Sequence, residues 1–272
     1  MVIRLASFSL QMNDSSHAAL LKDDEPQPFQ VENIAGSSAY FLICDHAGTR
    51  IPSELGSLGL SSTDVQRHIG WDIGAAAVAL KLAEALDAAL ILQPYSRLVI
   101  DCNRPLHSYD SITSISERTV IPGNQKISAA EILQRQQEIF TPYHARIQEA
   151  LDAREQRQQH TVIIALHSFT PIYLGHQRPW HIGLLYNRDA RLAHLLAAAL
   201  DAEAGLVIGD NEPYNVSDET DFTIPEYGEK RGIPHVEIEI RQDLIADEAG
   251  QQAWASRLAR LLPPLLKPLK LL

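Results

Sequence analysis

Two histidines each close a short apolar run, Phe41-Leu-Ile-Cys-Asp-His46 and Val162-Ile-Ile-Ala-Leu-His167. A third run, His235-Val-Glu-Ile-Glu-Ile-Arg241, carries a polar residue at every second position. Such runs read as strands of a buried sheet. In an open α/β sheet, ligands bind just beyond the carboxyl ends of the strands. Imidazole nitrogens and a carboxylate gathered there suit a divalent metal, and a further carboxylate suits a general base. His46 and His167 are thus candidate ligands. The period of two puts His235, Glu237, Glu239 and Arg241 on one face and Val236, Ile238 and Ile240 toward the core. Glu239 is then the candidate base, although an edge strand with a solvated face has the same pattern.

The polar residues between these runs admit two readings each. Asp72, in His68-Ile-Gly-Trp-Asp72, is either the N-cap of the Ala-rich helix that follows or a carboxylate ligand. In Ser96-Arg97-Leu-Val-Ile-Asp101-Cys-Asn103-Arg104-Pro105, Arg97 and Arg104 suit bidentate capture of a substrate carboxylate, or internal ion pairs with acids such as Asp101. Arg178, in the loop after His167, and Arg241 are further candidates to hold substrate. The His167-Ser168 pair raises a serine hydrolase, but no Gly-x-Ser-x-Gly elbow occurs. Cys44, two residues before His46, is either a ligand or a packed thiol.

These residues need a frame. Strands are expected at 39–44, 90–92, 97–101, 161–166, 181–186, 207–208 and 235–241. Helices are expected near 61–68, 73–87, 187–203 and 247–262. Another starts at a Ser128 cap, with Glu131 completing a capping box, and is kinked by Pro142 on its way to about 157. The alternation predicts a three-layer α/β/α domain over 33–272 with a mostly parallel or mixed sheet, preceded by a loose arm over 1–32. The long loops 103–127 and 209–233 are of a length that is commonly functional.

The 272 residues carry a net charge of -11 and are 45% hydrophobic. The charge argues against nucleic acid as a partner, which needs a basic face, and the hydrophobic content is enough for a large core. An anionic small substrate remains compatible, because a few arginines in a cleft override the global field. Two cysteines, no signal peptide and no apolar run of membrane length fit a reduced cytoplasmic setting without membrane partners. Nothing in the sequence indicates an oligomeric state.

Taken together, Cys44-Asp-His-Ala-Gly48, His68-Ile-Gly-Trp-Asp-Ile-Gly74, Ser96 to Pro105, Ile121-Pro-Gly-Asn124, Pro142-Tyr-His144, Leu166-His-Ser-Phe-Thr-Pro171, Asn211-Glu-Pro-Tyr214 and Glu237-Ile-Glu-Ile-Arg-Gln-Asp243 resemble the N-formylglutamate amidohydrolase family. The resemblance spans about 31–262 and implies a zinc-carboxypeptidase-like (phosphorylase/hydrolase-like) fold. It implies one zinc ion on His46 and His167, substrate held by Asn103 and Arg104, and Glu239 as base. It further implies hydrolysis of N-formyl-L-glutamate to formate and glutamate. Arg104, with Arg97 or Arg178, would hold the carboxylates and stabilise the oxyanion. The sequence departs from the zinc-carboxypeptidase pattern at Thr49, where the second member of a His-x-x-Glu pair would stand. Asp72 is therefore assigned as third ligand. The family also commonly carries a histidine near Tyr227, which is absent here. Alternatives are another N-acyl amino acid or small peptide as substrate, and a binding protein that has lost catalysis.

Overall fold

The computed structural model describes residues 19–271, so most of the expected arm lies outside the described residues. A seven-stranded mixed sheet is formed by β1 (Gln30–Glu32), β2 (Tyr40–Cys44), β3 (Ala89–Leu92), β4 (Val162–Phe169), β5 (Ile182–Leu185), β6 (Ile208–Asp210) and β7 (His235–Arg241). Their spatial order is β1-β3-β2-β4-β7-β5-β6. The four central strands β3, β2, β4 and β7 are mutually parallel. The outer pairs β1–β3 and β7–β5 are antiparallel. Strand β1 comes from the stretch expected to be arm: Val31 pairs with Ile91 and packs on the core.

Alternation along the strands supplies both faces. Leu42, Ile164, Leu166, Val236, Ile238 and Ile240 pack beneath α1 (Ala75–Leu86), α4 (Arg191–Asp201) and α5 (Glu248–Leu261). Phe41, Ile43, Ile163 and Ala165 face the opposite layer, built on α2 (Ala129–Arg135) and α3 (Thr141–Gln156). Full burial of such aliphatic side chains contributes roughly 1.5–3 kcal/mol each. Helices on both faces give the expected three layers.

The local signals explain most boundaries. The Ser128–Glu131 capping box opens α2. Pro142 lacks an N–H donor, and a π-helical turn, Gln136–Phe140, stands between α2 and α3. Asp247 caps α5 through the backbone N–H of Gly250. The expected strand over 97–101 is absent. Ser96 turns the chain instead, its carbonyl accepting from Val99 N–H. The buried carbonyls of Leu98 and Val99 accept from the Asn124 amide and the Arg135 guanidinium rather than from a neighbouring strand. The long loop after Asn103 contains a small hairpin of Ile115–Ser116 and Thr119–Val120.

Because β2, β4 and β7 are parallel, their carboxyl ends meet at one edge, where Glu239 stands in register with His167. At that edge Gly48 lies so close to Pro94 that a Cβ would sit 2.2 Å from its carbonyl oxygen. Gly74, at φ +81°, opens α1 with equally tight packing on Ile245. Both let loops close under the site.

Candidate metal centre and active site

The Asp72 carboxylate lies between the two histidines. Its Oδ2 is 3.3 Å from His46 Nδ1 and 2.8 Å from His167 Nδ1. His46, Asp72 and His167 each offer one ligand atom, all within 4.8 Å of one another, and all three residues are buried. Ligand atoms of a tetrahedral zinc site stand about 3.3 Å apart, given metal–ligand distances of about 2.0–2.1 Å. The set therefore fits a divalent ion with little rearrangement. The cap reading of Asp72 does not describe its side chain, since Gly74 is the N-cap of α1 and makes no side-chain cap bond.

The far nitrogen of each ring faces another carboxylate. His46 Nε2 is 2.7 Å from Asp101 Oδ1, and His167 Nε2 is 3.4 Å from Asp45 Oδ2. An outer carboxylate on one ring nitrogen orients the other toward a metal and raises its basicity. Asp45 is itself fixed by the hydroxyls of Tyr143, at 2.8 Å, and Thr223, at 2.9 Å. Burial and Arg97 oppose a charge on His46, but Asp101 and Asp72 outweigh them and raise its pKa. Burial opposes a charge on His167 too, and Glu237, Asp45 and Asp72 lift it well above the ordinary histidine value. Burial alone would raise Asp72, yet the two histidines hold it below the usual carboxylate range. A field that favours positive charge at this point also favours a metal cation.

A cleft of about 460 Å³ opens onto this centre. His46, Asp72, Arg97, Asn103, Arg104, His167 and Glu239 all line it. Glu239 is buried, and its Oε2 has no hydrogen-bond partner among the described residues. Burial pushes its carboxyl up to about 8 against the pull of His167. Glu237, two residues earlier on the same face, is likewise raised by burial to about 8.

The expected substrate-binding residues divide. Arg97 lines the cleft, but its Nε and Nη2 donate to Asp101 Oδ2 at 3.0 and 2.6 Å, and its Nη1 is 3.5 Å from Asp72 Oδ1. It braces Asp72 and Asp101 around the candidate ligand set, as the ion-pair reading allowed. The Asn103 amide is fully engaged: Oδ1 accepts from the N–H groups of Phe222 and Thr223, and Nδ2 faces Glu237 and Asp221. Arg104 donates from Nε to Asp110 at 3.2 Å and from Nη1 to the Thr220 carbonyl, leaving Nη2 without a partner among the described residues. Arg178 stands at the rim, 4.7 Å from the ring centroids of both Tyr173 and Tyr214. Arg241 is not brought to the cleft. Its guanidinium pairs with Asp243 at 2.8 Å and reaches the carbonyls of Pro179 and Trp180.

Several neighbouring residues resolve other readings. The Ser168 hydroxyl donates to the Ile73 carbonyl at 2.8 Å and touches no histidine, which leaves no serine–histidine pair. Cys44 is a buried core residue, and burial raises its thiol. Thr49 lines a separate groove beside Pro94 and Trp71. Tyr227 is buried against His144. Asp45, Asp101 and Glu237 also face the candidate site and are not among the candidate site residues of the sequence reading. Each had a signal: Asp45 directly precedes His46, Asp101 ends the Arg97 segment, and Glu237 shares the face of Glu239.

The family model for N-formylglutamate amidohydrolase matches residues 38–246. The chain belongs to this family. It is accordingly a hydrolase of the amidohydrolase type, and the matched span holds His46, Asp72, His167 and Glu239. The chain is 37% identical to a gene product of Agrobacterium tumefaciens of known structure. The match covers 92% of this chain and 99% of that one, with a TM-score of 0.89. It is 20% identical to the N-formylglutamate amidohydrolase of Ralstonia eutropha JMP134, covering 90% and 99% of the two chains with a TM-score of 0.71, a likeness of fold. Comparison with curated proteins gives no match. Among the described residues no helix is long and apolar enough to cross a membrane.

Proposed function

We propose that this family member is a metal-dependent amidohydrolase acting on a small N-acyl amino acid. N-Formyl-L-glutamate, cleaved to formate and glutamate, is the substrate to which the family relationship points. The observation that carries the reading is the pairing of His46 Nδ1 and His167 Nδ1 around Asp72 Oδ2, with the unpartnered Glu239 carboxylate in the same cleft.

His46, Asp72 and His167 would hold the ion, with zinc best matched to two imidazoles and one carboxylate. When bound, such an ion is a Lewis acid that polarises an acyl oxygen and acidifies water. The chain's residues supply the remaining work. Asp101 and Asp45 fix the two rings through their far nitrogens. Glu239, ionised, takes the proton from the attacking water and returns it to the leaving amine. Its burial makes it a stronger base than an exposed carboxylate. Arg104 Nη2 stabilises negative charge developing on the acyl oxygen. Arg178 holds the substrate α-carboxylate.

The test is formate release from N-formyl amino acids by zinc-loaded protein and by Glu239→Gln protein carrying the same zinc. The reading predicts turnover in the first and its near-complete loss in the second. Equal turnover in both would remove Glu239 from the mechanism. A pure binding role predicts no turnover in either.

A further inference from the structure

The resemblance assigns Asn103 to the substrate, but its contacts lead to the groups behind the candidate ligands. Asn103 is buried. Its backbone N–H donates to Asp101 Oδ1 at 2.9 Å, the same oxygen that lies 2.7 Å from His46 Nε2. Its side-chain Oδ1 accepts from the N–H groups of Phe222 and Thr223, at 3.2 and 3.0 Å. Thr223 Oγ1 in turn donates to Asp45 Oδ1 at 2.9 Å. The other Asp45 oxygen faces His167 Nε2 at 3.4 Å, and neither of these two atoms has another hydrogen-bond partner among the described residues. One residue thus stands behind both histidines, by its backbone on the His46 side and by its side chain on the His167 side.

The conformation of the loop at Thr223 depends on this link. Thr223 opens the π-helical turn Ile224–Glu229. Backbone donors at such an opening need acceptors from outside the turn. A threonine there ordinarily turns its own hydroxyl back on the helix. Here the hydroxyl makes no cap bond and goes to Asp45 instead. Asn103, 120 positions away in sequence, supplies an acceptor in its place. The Phe222 ring anchors the same loop, with its centroid 4.4 Å from that of His144 and 5.1 Å from that of Phe140. The Asn103 amide and this ring packing together fix where the Thr223 hydroxyl stands.

We infer that Asn103 is a positioning residue for the metal centre rather than a substrate contact. Through Thr223 its side chain sets Asp45 and thereby the His167 ring, and its backbone sets Asp101 behind His46. Outer groups of this kind orient a ligating ring and strengthen its hold on an ion. The inference rests on the reading of His46, Asp72 and His167 as metal ligands.

The test is the zinc affinity of the full chain, by competition with a chelator, in Asn103→Ala, Thr223→Val, the double variant and Thr223→Ser. Asn103→Ala and Thr223→Val should each weaken zinc binding by about tenfold, the lower end for loss of an outer partner, because Tyr143 still holds Asp45. The double variant should bind no more weakly than the weaker single variant, because both act along one path. Thr223→Ser keeps the hydroxyl and should restore the affinity, which separates the hydroxyl's role from a general loosening of the loop. At saturating zinc, any loss of turnover of an N-formyl amino acid by Asn103→Ala should fall on kcat rather than KM. Unchanged zinc affinity in Asn103→Ala, with or without a raised KM, would overturn the inference. Losses that add in the double variant, or a Thr223→Ser protein that binds as weakly as Thr223→Val, would overturn it too. Wild-type protein that binds no zinc would overturn the metal-ligand reading and the inference with it. Formate release plays no part in the affinity measurements, so they decide the inference whatever the substrate.

Discussion

Four histidines among the described residues are buried, His46, His144, His167 and His235, and only the first and third line the candidate site. His46 and His167 are each 2% exposed and His144 is 7% exposed. Carboxylates surround His46 and His167, through Asp72 on one ring nitrogen and Asp101 or Asp45 on the other. His144 instead has Nδ1 against the Tyr227 hydroxyl and Nε2 against the Cys102 carbonyl, both at 2.9 Å. Two neutral partners satisfy a neutral ring. Burial pushes its pKa down to about 4, with Asp45 opposing only weakly. The same burial therefore yields opposite electrostatics, and the carboxylates around a ring, rather than its depth, decide whether it favours a positive charge.

The largest effect should follow from removing Glu239, the proposed base beside the histidine pair. Glu239→Gln should lower kcat by about 10²–10⁴, the usual contribution of a general base. Zinc stoichiometry measured by metal analysis should stay at that of the wild type. A loss of zinc in this variant would make Glu239 a ligand instead.

Next comes the outer carboxylate that marks the difference between His46 and His144. Asp101→Asn should weaken zinc affinity by about 10–100-fold, as loss of an outer hydrogen-bond partner typically does. Competition with a chelator reads this directly. Unchanged affinity would mean that Asp101 serves Arg97 alone. Thr49→Ala should leave the affinity as it is, since Thr49 lies in a separate groove.

The site's first residues were legible because chemistry interrupts pattern there. His46 and His167 end apolar runs, and Glu239 breaks one on alternate positions. Asp72 had two meanings in sequence, and only the approach of His46 and His167 around it separates them. The substrate-side residues were less legible because arginine and asparagine reveal nothing of their partners. Arg241 ends β7 on the expected side, yet Asp243 two residues on captures it. The frame follows the same rule. The capping box and the Pro142 signal are local and held. The apolar run Leu98-Val-Ile100 resembles a strand, but Asn124 and Arg135, distant in sequence, satisfy its carbonyls in a turn. The helix expected from Asn187 starts instead at Arg191, because the Asn187 amide is drawn to Glu229.

The neutral histidine gives a prediction about stability. His144 has a folded pKa near 4 and an ordinary unfolded value near 6.5. Between these values the unfolded chain binds the extra proton. Stability from this group is therefore complete above about pH 6.5 and is lost as pH falls toward 4. The full loss is on the order of 3 kcal/mol. Denaturant unfolding from pH 7.5 to 4.5 should show a decline that is shallower in His144→Gln. An identical slope in the variant would assign the decline to other groups.

The smallest effect concerns a residue far from both histidine environments. Ser128→Ala removes the cap of α2 and should lower stability by about 1 kcal/mol without changing zinc affinity. Thermal unfolding with a parallel zinc titration checks both parts. A change in zinc affinity would show that α2 is coupled to the site.

The central claim is that His46, Asp72 and His167 hold a metal ion that amide hydrolysis requires. The most direct measurement is formate release from N-formyl amino acids by the full chain, first stripped by a chelator and then reloaded with one equivalent of zinc. The account predicts turnover that disappears on stripping and returns on reloading. Turnover that persists in the stripped protein would contradict it.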